Sequence, residues 1–162
     1  MRRIKKCEFT NLLKVFNQEN AEKDSRDATG DRWPRDRFGE FNAHFKGEWY
    51  EYEFEQADLA RIRLHFNSEF AIPRGGMMLR DALNQQEFRK WFSDGKAGKF
   101  PRGTHLWLAS SYYNNGGPEY KDMIDHDGCF ILLDGYHRSL AWAYLGMPSV
   151  LVFMAGSPKT IG

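Results

Sequence analysis

Cysteine is scarce in this 162-residue chain. The two residues, Cys7 and Cys129, are too few for a disulfide framework or a four-cysteine zinc site, and a reducing cytoplasm is the compartment expected. Long hydrophobic runs are also missing. Val150–Ala155, six residues long, is as long as any, against the roughly 20 that a membrane helix needs, so no membrane partner is expected. The basic start Met1-Arg2-Arg3-Ile4-Lys5-Lys6 is followed by a stretch that Asn11 and Lys14 interrupt, which argues against a signal peptide. A strong charge excess is absent too. Lys plus Arg number 23 against 22 for Asp plus Glu, a net +1, whereas a dedicated duplex-DNA binder rests on a positive excess. Nucleic acid is therefore possible as a partner but not favoured.

What is present is core-forming material. Hydrophobic residues make up 41% of the chain and aromatics 15%, with five Trp, enough for one domain with a dense core. Phe9 to Asn17 reads as a short amphipathic helix carrying Phe9, Leu12, Leu13 and Phe16. Gln18 to Gly47 is polar, broken by Gly30 and Pro34, and reads as a long surface loop that Trp33 and Phe38 could pin. Residues 1–47 are thus expected to be an N-terminal helix with a polar extension, and 48–162 the domain proper. Within the latter, Trp49–Phe54 and Leu59–Phe66 alternate as strands, Pro73–Gly76 is a turn, and Met77–Phe92 reads as one helix closed by Asp94-Gly95. Thr104–Ala109 is a strand. Ser110–Glu119 and Asp125–Gly128 are turn chemistry, and Cys129–Leu133 is a strand buried on both faces. The helix His137–Leu145 ends at Gly146, and Val150–Met154 closes the chain as a strand. The expectation is an α/β (α+β) fold, a compact mixed sheet with packed helices.

One stretch carries chemistry. Ile131 to Gly146, ILLDGYHRSLAWAYLG, reads strand, tight turn, helix. Gly135 lets the backbone turn without a Cβ clash, and the first amides of the helix, from Tyr136 on, attract phosphate. His137 and Arg138 are placed to add charge-assisted hydrogen bonds to the same anion. Ser139 offers a hydroxyl, and Asp134 a carboxylate for a divalent metal or a substrate hydroxyl. Leu140, Ala141, Tyr144 and Leu145 are expected to lock the helix onto the sheet. The competing reading is an ordinary Asp-Gly turn whose His and Arg meet only solvent or a carboxylate.

Asp134-Gly135-Tyr136-His137-Arg138, between an apolar strand and a small-residue helix, resembles the D-G-x-H-R signature of the ParB/sulfiredoxin superfamily. That superfamily includes the N-terminal domain of chromosome-partition proteins, sulfiredoxin and free-standing serine kinases. The resemblance is specific over about residues 129–154 and extends weakly back to about residue 48. It implies a compact α/β unit whose motif binds nucleotide phosphates. Tyr136 stands where sulfiredoxin needs a cysteine, which argues against sulfinic-acid reduction. The partition proteins continue into a DNA-binding domain for which the chain after Arg138 leaves no room. The kinases match best, with Glu69 and Glu119 as candidates for a further catalytic carboxylate.

Other motifs are weaker. Gly98–Thr104 has Walker-like glycines but no Lys after the second. Cys129 reads as packing, and Asp125-His126-Asp127 as a solvated turn. Pro73-Arg74-Gly75-Gly76 could offer amides and the Arg74 guanidinium to a ligand, or simply lead into a helix. The leading expectation is a phosphotransferase using ATP or another nucleoside tri- or diphosphate with Mg2+. Gly135, Tyr136, His137, Arg138, Ser139 and Arg74 would bind phosphate, Asp134 would hold the metal, and Asp134 and His137 would act in transfer to an unidentified hydroxyl. The alternatives are a nucleotide switch that hydrolyses little, and a ParB-like nuclease or toxin-system component.

Overall fold

The computed structural model describes residues 1–8, 10–12, 14–16, 18, 48–96, 104–110 and 129–156. Most of the 18–47 loop, the Gly98–Gly103 segment, Glu119 and the turns between 111 and 128 lie outside the described residues. Among those described, seven strands form one mixed sheet: β1 (Arg2–Cys7), β2 (Trp49–Phe54), β3 (Ile62–Leu64), β4 (Met77–Met78), β5 (His105–Ser110), β6 (Phe130–Asp134) and β7 (Val150–Ala155). Their order is β1-β2-β7-β5-β6-β3-β4. The β7–β5 and β6–β3 pairs are parallel and the other four antiparallel. Helices α1 (Gln56–Leu59), α2 (Leu79–Ala82), α3 (Gln86–Ser93) and α4 (Tyr136–Leu145) complete the α+β fold.

Strand alternation divides the core in two. Tyr52, Phe54, Leu106, Leu108, Phe130, Leu132, Val152 and Met154 join one apolar cluster with residues of α1 to α4. Trp49, Trp107, Ile131, Leu133 and Phe153 join a second, closed by Leu12 and Phe16. Residues 10–12 and 14–16 are helical, as the Leu12/Phe16 spacing predicts, and the Phe16 ring meets Trp107 edge-on at 5.2 Å. The segment 1–47 thus also supplies a strand, β1, paired antiparallel with β2. The central β5 and β6 are buried along their whole length, as continuous apolar runs require.

Two elements differ from their sequence reading. Leu59 lies in α1, not in a strand, because the Glu55 amide donates to the Asp58 carboxylate at 2.9 Å and starts a helix there. The stretch Met77–Phe92 is not one helix. Met77 and Met78 pair with β3, and the helix breaks between Ala82 and Gln86, where the polar run Asn84–Glu87 offers no apolar side chain to continue the face. Strand β5 lies between β6 and β7 in the sheet.

Helix α4 also turns a different face inward. Leu140 is fully buried and Trp142 and Ala143 pack on the core, whereas Tyr144 is 47% and Leu145 63% exposed. Tyr136, Ser139, Leu140 and Ala143 stand at helical spacing on the inward side of α4. Tyr144 instead meets Phe92 of α3 at 4.6 Å. At the other end Gly146 adopts φ +69°, and the Met147 amide donates to the Trp142 carbonyl at 3.1 Å, a left-handed helix stop.

Candidate active site at the strand–helix turn

The β6–α4 junction turns on Gly135, with φ +98° and ψ 34°. A Cβ there would lie 2.9 Å from Leu106 Cδ2 and 3.1 Å from Arg138 Nη2. Both conformation and space therefore demand glycine. Ser139 N–H donates to the Gly135 carbonyl at 2.8 Å, the first bond of α4. The amides of Tyr136, His137 and Arg138 come before it, at the positive end of the helix dipole.

Asp134 and Arg138 are buried together, 8% and 6% exposed, with Asp134 Oδ2 3.6 Å from Arg138 Nη2. Arg138 Nη2 also donates to the His105 carbonyl on β5 at 3.1 Å. The guanidinium therefore lies against the inside of the turn, paired with the Asp134 carboxylate. Ser139 is fully buried, and its hydroxyl donates to the Tyr136 carbonyl at 2.8 Å. That hydroxyl faces its own helix, not the mouth of the turn. Tyr136 packs as a ring: it stacks on Phe70 at 5.9 Å, and its hydroxyl reaches the His65 carbonyl at 3.4 Å. Burial, and after it the charge of Glu69, push the Tyr136 phenol above the ordinary tyrosine value.

His137 is the partly open member. Its Nε2 stands 3.2 Å from Glu69 Oε2, and its ring lies 5.5 Å from Phe70 and 5.3 Å from Trp91. One of the two candidate carboxylates is thereby brought to the turn; the other, Glu119, is outside the described residues. A carboxylate on one imidazole nitrogen fixes the tautomer.

Arg74 is exposed on the Pro73–Gly76 turn, where Gly75 and Gly76 take φ of +88° and +79°. The β3–β4 pairing joins Leu64 to Met77, and parallel β3–β6 pairing joins Arg63 to Ile131. This register carries the turn to the end of the sheet where β6 meets α4. Arg63 holds the turn through its Nη2, which donates to the Gly75 carbonyl at 2.9 Å.

Cys129 contacts Met78 through sulfur at 3.6 Å, as a packing residue does. Among the described residues no group of three or more His, Cys, Asp or Glu could hold a metal. Mg2+ bound largely through phosphate oxygens and water needs only one or two carboxylates, and Asp134 meets that minimum, in competition with Arg138. The sequence reading missed His105, whose carbonyl positions Arg138; a backbone contact leaves no mark in residue type. Neither family models, nor curated proteins, nor solved structures give a match to the chain. No helix among the described residues is long and apolar enough to cross a membrane.

Proposed function

We propose that the chain is a cytoplasmic, ParB/sulfiredoxin-like nucleotide-binding protein that transfers a phosphoryl group from ATP or another nucleoside tri- or diphosphate to a hydroxyl acceptor. The observation that carries this reading is the Gly135 turn, which opens α4 directly after β6 and sets its first amides beside the buried Asp134–Arg138 pair. Phosphoryl transfer depends chiefly on positioning and charge neutralisation. The amides of Tyr136 to Arg138 bind phosphate oxygens, with Arg138 strengthening the positive field from beneath and Arg74 approaching from the neighbouring turn. His137, oriented by Glu69, holds a phosphate oxygen or moves a proton. Asp134 is the carboxylate for Mg2+, which neutralises phosphate charge when bound.

A second reading, a nucleotide switch with little turnover, is favoured by the internal partners of Arg138 and Ser139. Thermal shift with a nucleotide panel, with and without Mg2+, tests binding, since stabilisation follows RT ln(1 + [L]/Kd). Labelled γ-phosphate transfer to pooled acceptors then separates the two readings. Binding with turnover supports the transferase, and binding without turnover leaves the switch. Failure to bind any nucleotide ends both.

A further inference from the structure

A second chemical group lies beside the turn, on the other side of β5. His105 Nε2 is 2.9 Å from Glu51 Oε2, and His105 Nδ1 is 2.8 Å from Thr104 Oγ1. The His105 and Glu51 side chains are 11% and 15% exposed, while Thr104 is open to solvent. The carboxylate can only accept, so the imidazole carries its proton on Nε2. In the neutral imidazole Nδ1 is then the lone-pair acceptor, to which the Thr104 hydroxyl donates. The imidazole is also fixed in plane, stacked on Phe153 of β7 at 3.9 Å and 10°. Acid, base and hydroxyl in hydrogen-bonded series is the arrangement that activates an oxygen nucleophile. A tie between β5 and β2 across β7 would account for the His105–Glu51 contact alone; it would not aim a hydroxyl at Nδ1.

The group is joined to the candidate site through one peptide. The His105 carbonyl accepts from Arg138, and antiparallel pairing of Trp107 with Asp134 carries residues 104 and 105 past the end of β6, alongside the turn. We propose that Thr104 is a phosphoryl acceptor within the chain itself, with His105 as base and Glu51 as positioning residue; this rests on the phosphotransferase reading above. Thr104 Oγ1 forms a bond to the terminal phosphorus of the nucleotide. The bond from that phosphorus to the bridging oxygen breaks, and its electron pair leaves with the nucleoside diphosphate. The hydroxyl proton passes to His105 Nδ1, and the Glu51 carboxylate holds the resulting imidazolium.

The test is intact-protein mass spectrometry of the full chain with ATP and Mg2+, followed by peptide mapping, with nucleotide binding measured in parallel by thermal shift. One phosphoryl group on Thr104 is expected. Thr104→Val, close in shape, abolishes it and Thr104→Ser retains it. His105→Ala lowers the labelling rate by about 10²-fold or more, the scale of a lost general base, and added imidazole restores part of it. Glu51→Gln lowers the rate and Glu51→Asp recovers part. Labelling that persists in Thr104→Val, or that maps elsewhere, overturns the proposal. Nucleotide binding without labelling of Thr104 also overturns it, and leaves the transferase reading to its external acceptors. Absence of nucleotide binding removes both.

Discussion

Replacing Gly135 with alanine adds one methyl group at a residue with φ +98°. Two costs follow. A left-handed conformation costs a residue with a Cβ about 1–2 kcal/mol. The new carbon would also sit 2.9 Å from Leu106 Cδ2, and Leu106 is fully buried at the centre of the sheet. Forcing a packed neighbour to move costs about 1–3 kcal/mol more. The sum, about 2–5 kcal/mol, is a large part of the roughly 5–15 kcal/mol that holds a domain together. Urea unfolding, read as the shift in midpoint at constant slope, measures it. The steric part has its own signature. Leu106→Ala alone costs about 2–5 kcal/mol, but it removes the atom that the new methyl meets. The double variant should therefore be more stable than the sum of the single effects by about 1–3 kcal/mol. If Gly135→Ala lies within about 0.5 kcal/mol of the wild type, the size of an ordinary surface change, the close approach is wrong. If the double variant is additive, the clash is not the cause.

Arg138→Ala leaves the Asp134 carboxylate buried without its guanidinium, and should cost about 3–5 kcal/mol in chemical denaturation. Glu69→Gln should lower labelled phosphate transfer by about 10-fold or more, and an unchanged rate would remove Glu69 from the site. Tyr136→Phe bears on pH. Because burial raises the phenol, the unfolded chain ionises first, so this group's contribution is intact below about pH 10 and declines above it. The Phe variant should lose less stability between neutral and strongly alkaline pH than the wild type does, and parallel losses would refute the burial argument.

The sheet's interior was legible because its pattern is simple. The alternation of Trp49–Phe54, the apolar run before Asp134 and the glycine between strand and helix each admit one structure. The edge was not. β1 is Arg2-Arg3-Ile4-Lys5-Lys6-Cys7, exposed along almost its whole length, and a strand with no buried face has no hydrophobic period to read. The broken helix after Met78 shows a similar limit: Met78, Leu79, Ala82 and Leu83 keep helical spacing up to the break, and only the polar Asn84–Glu87 run marks it. At the turn, residue types announced Gly135 and His137. They could not announce that Arg138 would face inward or that Ser139 would donate to its own helix, since both depend on the rotation of α4. Glu69 is 68 residues from His137 in sequence, and only the fold joins them.

The charged edge strand bears on how the protein behaves in crowded solution. An unpaired strand edge invites a second copy to continue the sheet. Among the described residues the edge is β1, with Arg2 and Lys6 held beside their own sheet by Glu53 and Glu48 and Lys5 exposed; the opposite edge, β4, is two residues long. Two β1 strands laid side by side would set cation against cation, which disfavours pairing. The protection is electrostatic, so it weakens with ionic strength: the screening length falls from about 10 Å at 0.1 M salt to about 3 Å at 1 M. Self-association by light scattering should rise over that range, and should appear already in dilute salt once Arg2, Arg3, Lys5 and Lys6 are replaced by threonine.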